Sequence, residues 1–302
     1  MTKGICRLCN ATAELQLSHI VPAFVYRWLR ESSGDGHIRS SVTPNQRIQD
    51  GPKEYWLCNE CEARFNTGET IFATQLFHPY LEASGQRFRY GPWLLQFCTS
   101  VSWRVLEHHF FRGVGHDFDA TALDHAQKAD AAWRAFLLGQ APHPGRYRQH
   151  LLPLDEIKST TGNLPPNINR YLMRAIDIDL CHGGETIFVY SKLGRFIILA
   201  FINEPNPNQW GGTKVNANHG VVEPRQYTLP RPFGKYLVEK ANRVTAAMSN
   251  LSERQRDKID SAFRSNIDKI VGSDFFKAVQ ADVDMFGHDA FTSGSSGEED
   301  DS

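Results

Sequence analysis

Two cysteine pairs stand near the start of the chain, Cys6-Arg-Leu-Cys9 and Cys58-Asn-Glu-Cys61, with 48 residues between them. Each Cys-x-x-Cys offers two soft thiolate ligands across a tight turn, and two such pairs complete a tetrahedral shell for Zn²⁺. A closed four-thiolate shell has no open position for water, so this zinc is expected to be a structural staple and not a catalyst. Between the pairs lies Ser18-His19-Ile20-Val21-Pro22. A neutral imidazole can take a proton from a water attacking phosphorus near neutral pH, which makes His19 a candidate general base. The plainer alternative is a histidine that packs and hydrogen-bonds its own loop.

The elements around these residues follow from the residue pattern. Leu15 and Leu17 alternate with polar neighbours, which predicts a short strand over Ala13–Leu17 running into His19. Pro22 suits the first position of a helix, and Phe24, Val25, Trp28 and Leu29 keep helical spacing to about Glu31. Residues 32–36 read as a loop, and Ile38–Gly51 as polar and irregular. Tyr55–Leu57 predicts a strand entering the second cysteine pair. The run Glu62–Phe77 predicts a helix ending at His78-Pro79. Cys58 and Cys61 then fall at a helix start, where the dipole favours thiolates. A knuckle, a hairpin and a helix carrying the last two ligands is the treble-clef arrangement.

A Cys-x-x-Cys, a strand ending in His-Ile-Val-Pro, and a second Leu-Cys-x-x-Cys at a helix start together resemble the zinc-stapled form of the HNH endonuclease family. The resemblance covers residues 5–66 and implies a ββα-metal nuclease inserted on a treble clef. It implies that His19 is the general base and that Glu62, directly after Cys61, stands at the position of a ligand to a catalytic Mg²⁺ or Mn²⁺. Two departures are visible. Ser18 occupies the place where the family usually has Asp, and no Asn stands about six residues before Cys58. Asp50, in Gln49-Asp50-Gly51, is a loop carboxylate that offers a second hard ligand, and Asn45 a group to orient His19. Ser-His-Ile-x-Pro, then Gln-Asp-Gly, then Leu-Cys-x-x-Cys-Glu also resembles bacterial HNH-type proteins thought to act in defence against phage.

The rest of the chain limits these readings. Net charge is −1, with 33 Lys and Arg against 34 Asp and Glu, and four of the acids sit in Glu298–Asp301. A nucleic-acid surface therefore has to come from clustering in space, not from bulk charge. Arg146, Arg148, Arg170 and Arg174, with Tyr147 and Tyr171, are the candidate basic–aromatic set. His108, His109 and His116 near Glu107 and Asp117 are a weaker candidate metal cluster. Asp177 and Asp179 share one side of a strand and suit a solvated face. Cys98 and Cys181 read as buried small hydrophobes. No apolar run approaches a membrane span, and no apolar leader opens the chain, so a cytoplasmic location is expected. The expected partner is nucleic acid, DNA in the first instance, while a homo-oligomer or a partner protein stays open.

The fold class expected is α+β. An N-terminal treble-clef, HNH-like ββα zinc module (residues 1–80) is followed by an α+β region (81–292). That region is helical over 91–140, holds an antiparallel β-meander within 168–230, and is helical again over 232–287. Within it, helices are expected over Pro92–Phe110 and Leu123–Leu138, and strands over Tyr171–Leu180, Thr186–Tyr190, Arg195–Ile202 and Val221–Leu229. Pro232 should start a helix, Ser252-Glu-Arg-Gln255 reads as a capping box, and Asp274–Phe286 as a last helix. An acidic tail at 293–302 is expected to be disordered. The leading functional expectation is a phosphodiester hydrolase; the alternative is a catalytically inactive zinc-stapled module that binds nucleic acid or protein.

Overall fold

A computed structural model describes residues 2–111, 113, 118–160, 162–223, 227 and 229–291. The expected cluster at His116 and Asp117 and the acidic tail lie outside the described residues. Among the described residues helices hold 48% and strands 21%, which makes the protein α+β. The chain divides into two interleaved compact units. The first comprises Met1–Val25, Gly51–Leu154 and Ile176–Thr228; the second comprises Tyr26–Asp50, Asp155–Ala175 and Leu229–Ser302. This partition differs from a single boundary at residue 80, because the four-stranded sheet and two long helices share one core with the cysteine module.

In the first unit, β1 (Thr2–Ile5), β2 (Thr12–His19) and β5 (Lys53–Cys58) form an antiparallel sheet in the order β1-β2-β5. The helix α2 (Asn59–Phe72) follows β5 directly. It does not stop at His78-Pro79. A π-helical turn at Ala73–Phe77 leads into α3 (His78–Glu82), and Pro79 falls in the first turn of α3, where a missing N–H is tolerated. The long α4 (Trp93–Phe111) is apolar along most of its length and packs on α2, on α5 (Ala120–Leu137) and on the four-stranded sheet. Asp119 caps α5, its side chain accepting from the Ala122 N–H at 2.7 Å. Ala122, Ala126 and Ala129 are buried in the core that α5 shares with α4.

The sheet runs β7 (Gln149–Pro153), β10 (Phe196–Asn203), β9 (Thr186–Leu193), β8 (Ile176–Gly183), all antiparallel. Gly184 and Gly194 open the two-residue turns with φ of 59° and 58°, a left-handed conformation that favours glycine. The expected meander is present, with an added edge strand, β7, that the Pro- and Gly-rich stretch before it obscured. Tyr171 does not begin β8; it lies in α6 (Ile168–Arg174) of the second unit. The strand expected over Val221–Leu229 is β11 (Gly220–Val222), which pairs with β6 (Phe88–Tyr90) and not with the meander. Asp177 and Asp179 stand opposite Lys192 and Tyr190, both fully buried, so their side of the sheet is covered and not a solvated face.

The core of this unit is continuous from the cysteines to the sheet. Cys6, Leu8, Trp56, Leu57 and Phe65 belong to one buried cluster with Trp103, Trp133, Val189 and Ala200. The Trp103 ring lies 6.1 Å from Trp56 and 6.0 Å from Phe65. Aromatic residues of this size dominate core energetics, so α4 is the wall against which the hairpin and α2 are fixed.

The second unit packs α6 against α10 (Asp274–Phe286), with α7 (Arg231–Ser249), α8 (Glu253–Ser265), α9 (Ile267–Ile270) and a short hairpin, β3 (Ile38–Arg39) and β4 (Arg47–Ile48). That hairpin replaces the irregular segment expected there. Asp282 of α10 accepts from the N–H groups of Asn169 and Arg170 at 2.7 and 3.1 Å and so satisfies the start of α6. The capping box at Ser252 does not form. Ser252 makes no side-chain cap bond, and Gln255 instead accepts from Arg39 at 3.2 Å.

Candidate functional site

The hairpin β2–β5 has two ends, and each carries one set of candidate residues. At the first end Leu15 stands opposite Cys58, and the knuckle Cys6–Cys9 folds back on itself. The Asn10 N–H donates to the Cys6 carbonyl and the Cys6 N–H to the Ala11 carbonyl, both at 2.8 Å, with Asn10 in the left-handed region at φ 62°. The Arg7 N–H donates to the Trp56 carbonyl of β5 at 2.8 Å, which locks the knuckle to the hairpin. Cys58 is the N-cap of α2 and Cys61 lies in its first turn. The ligand atoms of all four cysteines lie within 4.8 Å of one another. Cys9 Sγ and Cys58 Sγ are 3.7 Å apart, against the roughly 3.8 Å that a tetrahedron of 2.3 Å Zn–S bonds requires.

The electrostatics fit a cation in the middle. Burial pushes the Cys61 and Cys9 thiols up, and neighbouring cysteine sulfurs push Cys61 further. Burial also opposes ionisation of Cys6, but the backbone N–H groups of Cys9 and Cys58 outweigh it and bring Cys6 down to about 7. Four thiolates this close cannot all be charged without a metal to hold them. These four cysteines form a set able to hold a metal ion such as zinc. Among the described residues no other group of three or more His, Cys, Asp or Glu converges in this way.

At the other end His19 closes β2 opposite Lys53, one step beyond the pair Ser18 and Glu54. His19 is half-buried, and Ser18 is fully buried. Ser18 therefore supplies no carboxylate, and its hydroxyl donates back to the Gln16 carbonyl at 3.4 Å. Glu62 sits in the first turn of α2, and its Oε2 is buried with no hydrogen-bond partner among the described residues. On α4, His108 Nδ1 lies 3.9 Å from Glu54 Oε1.

Asp50 belongs to the second unit, where its charge adds to burial in raising the Tyr26 hydroxyl. Asn45 does not orient His19: it donates to the Asn250 carbonyl at 3.0 Å and accepts from the Ser252 N–H at 2.8 Å. Of the candidate arginines, the two in the second unit are engaged within that unit. Arg174 is buried, donates to Ser32 Oγ and the Leu29 carbonyl, and stacks on Trp28 and Phe275. Arg170 is committed to Asp282 at 2.8 Å, and Tyr171 is buried. Arg146 and Arg148, in the first unit, are exposed, with Arg146 over the Tyr147 ring.

Two residues that pattern reading missed are central. Arg104 is 2% exposed, and its Nη1 donates to the His19 carbonyl at 3.1 Å and to Glu69 Oε1 at 2.7 Å. It is the single charged residue between Trp93 and Leu106 of α4. A lone charge in such a run signals a buried partner, but it does not say which one. Comparison of the chain with protein-family models, with curated proteins and with solved structures returns no match.

Proposed function

We propose that the chain is a metal-dependent, HNH-like nuclease that hydrolyses nucleic-acid phosphodiester bonds, DNA being the expected substrate. The observation that carries this reading is the single hairpin with four cysteines at one end and His19 at the other, flanked by a helix whose first turn carries Glu62, with one buried carboxylate oxygen that has no hydrogen-bond partner among the described residues. In this reading the cysteines hold a structural Zn²⁺, and His19 takes the proton of the attacking water. A Mg²⁺ or Mn²⁺ ion held by Glu62, by water and by the substrate phosphate would stabilise charge at phosphorus. One protein carboxylate is compatible with that, because Mg²⁺ keeps several waters and is commonly bound through one or two carboxylates plus phosphate. Exposed Arg146 and Arg148 are the remaining candidates for backbone contacts, and defence against phage is the setting the resemblance implies.

Burial of Ser18 in place of an acid, and the lack of a converged ligand set at His19 among the described residues, favour a second reading. In it the scaffold is kept and serves only to bind nucleic acid or protein. The two separate in one comparison. Wild type and His19→Ala, each with one zinc per chain, are incubated with plasmid and with RNA, in Mn²⁺ and in EDTA. The nuclease reading expects cleavage that needs Mn²⁺ and is lost in the variant. Equal background from both proteins supports the binding module.

A further inference from the structure

The His19 end of the hairpin is tied down by a helix that lies outside the cysteine module. Arg104, on α4, gives one guanidinium nitrogen to two acceptors, the main-chain carbonyl of His19 and the carboxylate of Glu69 on α2. Its Nε donates to Ser100 within α4 at 3.2 Å, and its carbon centre lies 5.2 Å from the Phe65 ring centroid. Nη2 is buried, with no partner among the described residues. Glu69 is itself only 12% exposed. Glu62 precedes Glu69 by seven residues, two helical turns, so both project from one side of α2, about 10 Å apart along the axis. The bridge therefore spans the gap between the end of β2 and the face of α2 that carries Glu62.

We infer that Arg104 and Glu69 are positioning residues for His19. They hold the strand-end carbonyl against α2, so that the imidazole keeps one place relative to Glu62. The inference rests on the nuclease reading for its purpose, but not for its geometry. A buried arginine suits the task because its planar, rigid guanidinium fixes the directions of the two N–H bonds on Nη1, one for each acceptor. Lysine in its place keeps the charge and loses the fixed planar direction of the donors. Glutamine at 69 keeps an acceptor and loses the charge.

The test uses full-length Arg104→Lys and Glu69→Gln, checked first for one zinc per chain. The His19 ring ¹³Cε1–¹H resonance, assigned by its absence in His19→Ala, is then compared with those of exposed His143 and His182. The expected result is that the His19 resonance moves and broadens in both variants while the other two stay in place. On plasmid with Mn²⁺, kcat should fall by on the order of 10- to 100-fold, the scale of a misplaced reacting group, with KM within about twofold. An unmoved His19 resonance in both zinc-loaded variants overturns the inference. Loss of zinc or of folding in both also overturns it, because the pair would then be a determinant of the fold only. If the wild type does not cleave, the nuclease reading fails, and the ring resonances alone decide whether Arg104 and Glu69 position His19.

Discussion

The two ends of the β2–β5 hairpin are built by different means. At the Leu15–Cys58 end, four ligands from two local turns converge to within 4.8 Å, and burial with mutual repulsion makes the set depend on a cation. At the His19–Lys53 end no such set forms among the described residues. There the geometry is imposed from a distance by Arg104, 85 positions along the chain, acting through one carbonyl and one carboxylate. The first end is self-contained and closed. The second is held by long-range contacts, and in the proposed reading it is the end that meets the substrate.

The largest expected effect breaks the closed end. Cys61→Ser, or removal of metal by a strong chelator, should abolish cooperative unfolding of the first unit. Structural zinc in small domains is worth about 10–16 kcal/mol at neutral pH, and here the cysteine set shares one buried cluster with Leu8, Trp56 and Trp103. Far-UV circular dichroism with metal analysis reads this. Retention of a full transition without zinc would show that α4 and the sheet hold the knuckles unaided.

The next effect addresses the open end. Arg104→Ala leaves Glu69 buried beside an empty space, and removal of one partner of a buried pair costs about 3–5 kcal/mol. Urea unfolding should show this with zinc still bound. A loss well under ~1 kcal/mol would mean that solvent reaches Glu69 and that the bridge is not a clamp.

A smaller effect has a definite sign with pH. Burial, and then the charge of Glu107, raise the Asp130 carboxyl to about 6, while Trp103 donates to it at 2.8 Å. The folded state therefore binds more protons than the unfolded chain between about pH 4 and 6, and this group's contribution to stability declines as pH rises through that window. His150 opposes it. Burial, with Arg148 and Lys214, lowers its imidazole to about 4, so its contribution increases with pH between about 4 and 6.5. Asp130→Asn should leave the rising slope uncovered and stabilise the protein at pH 7 by about 1–3 kcal/mol, the scale of a two-unit shift. Stability measured at several pH values checks this; an unchanged slope in the variant contradicts it. The smallest expected change is that of His19→Ala on stability, within about 1 kcal/mol for a half-buried strand end.

What could be read from the sequence follows the same division. The cysteine pairs, the strand into His19, the helix after Cys61 and the meander are local patterns, and the chain forms them. Asp274–Phe286 forms as expected because Ser273 caps it within its own turn. The failures are tertiary. The Ser252 capping box yields to Arg39, which takes Gln255 from a distant hairpin. Asn45, Arg170 and Arg174 carry residue types that suit a site, yet each is engaged in packing the second unit. Arg104 and Glu69 lie in runs that read as plain helix, and only their meeting in space gives them a role.

The central claim is that one hairpin holds a closed structural metal at one end and an open catalytic one at the other. Titration of the zinc-loaded full chain with Mn²⁺, followed by the electron paramagnetic resonance signal of the free ion, tests it most directly. The account predicts one bound Mn²⁺ beyond the zinc, weakened at least tenfold in Glu62→Gln and unchanged in Asp50→Asn. No Mn²⁺ bound to the wild type, or binding untouched by Glu62→Gln, would contradict it.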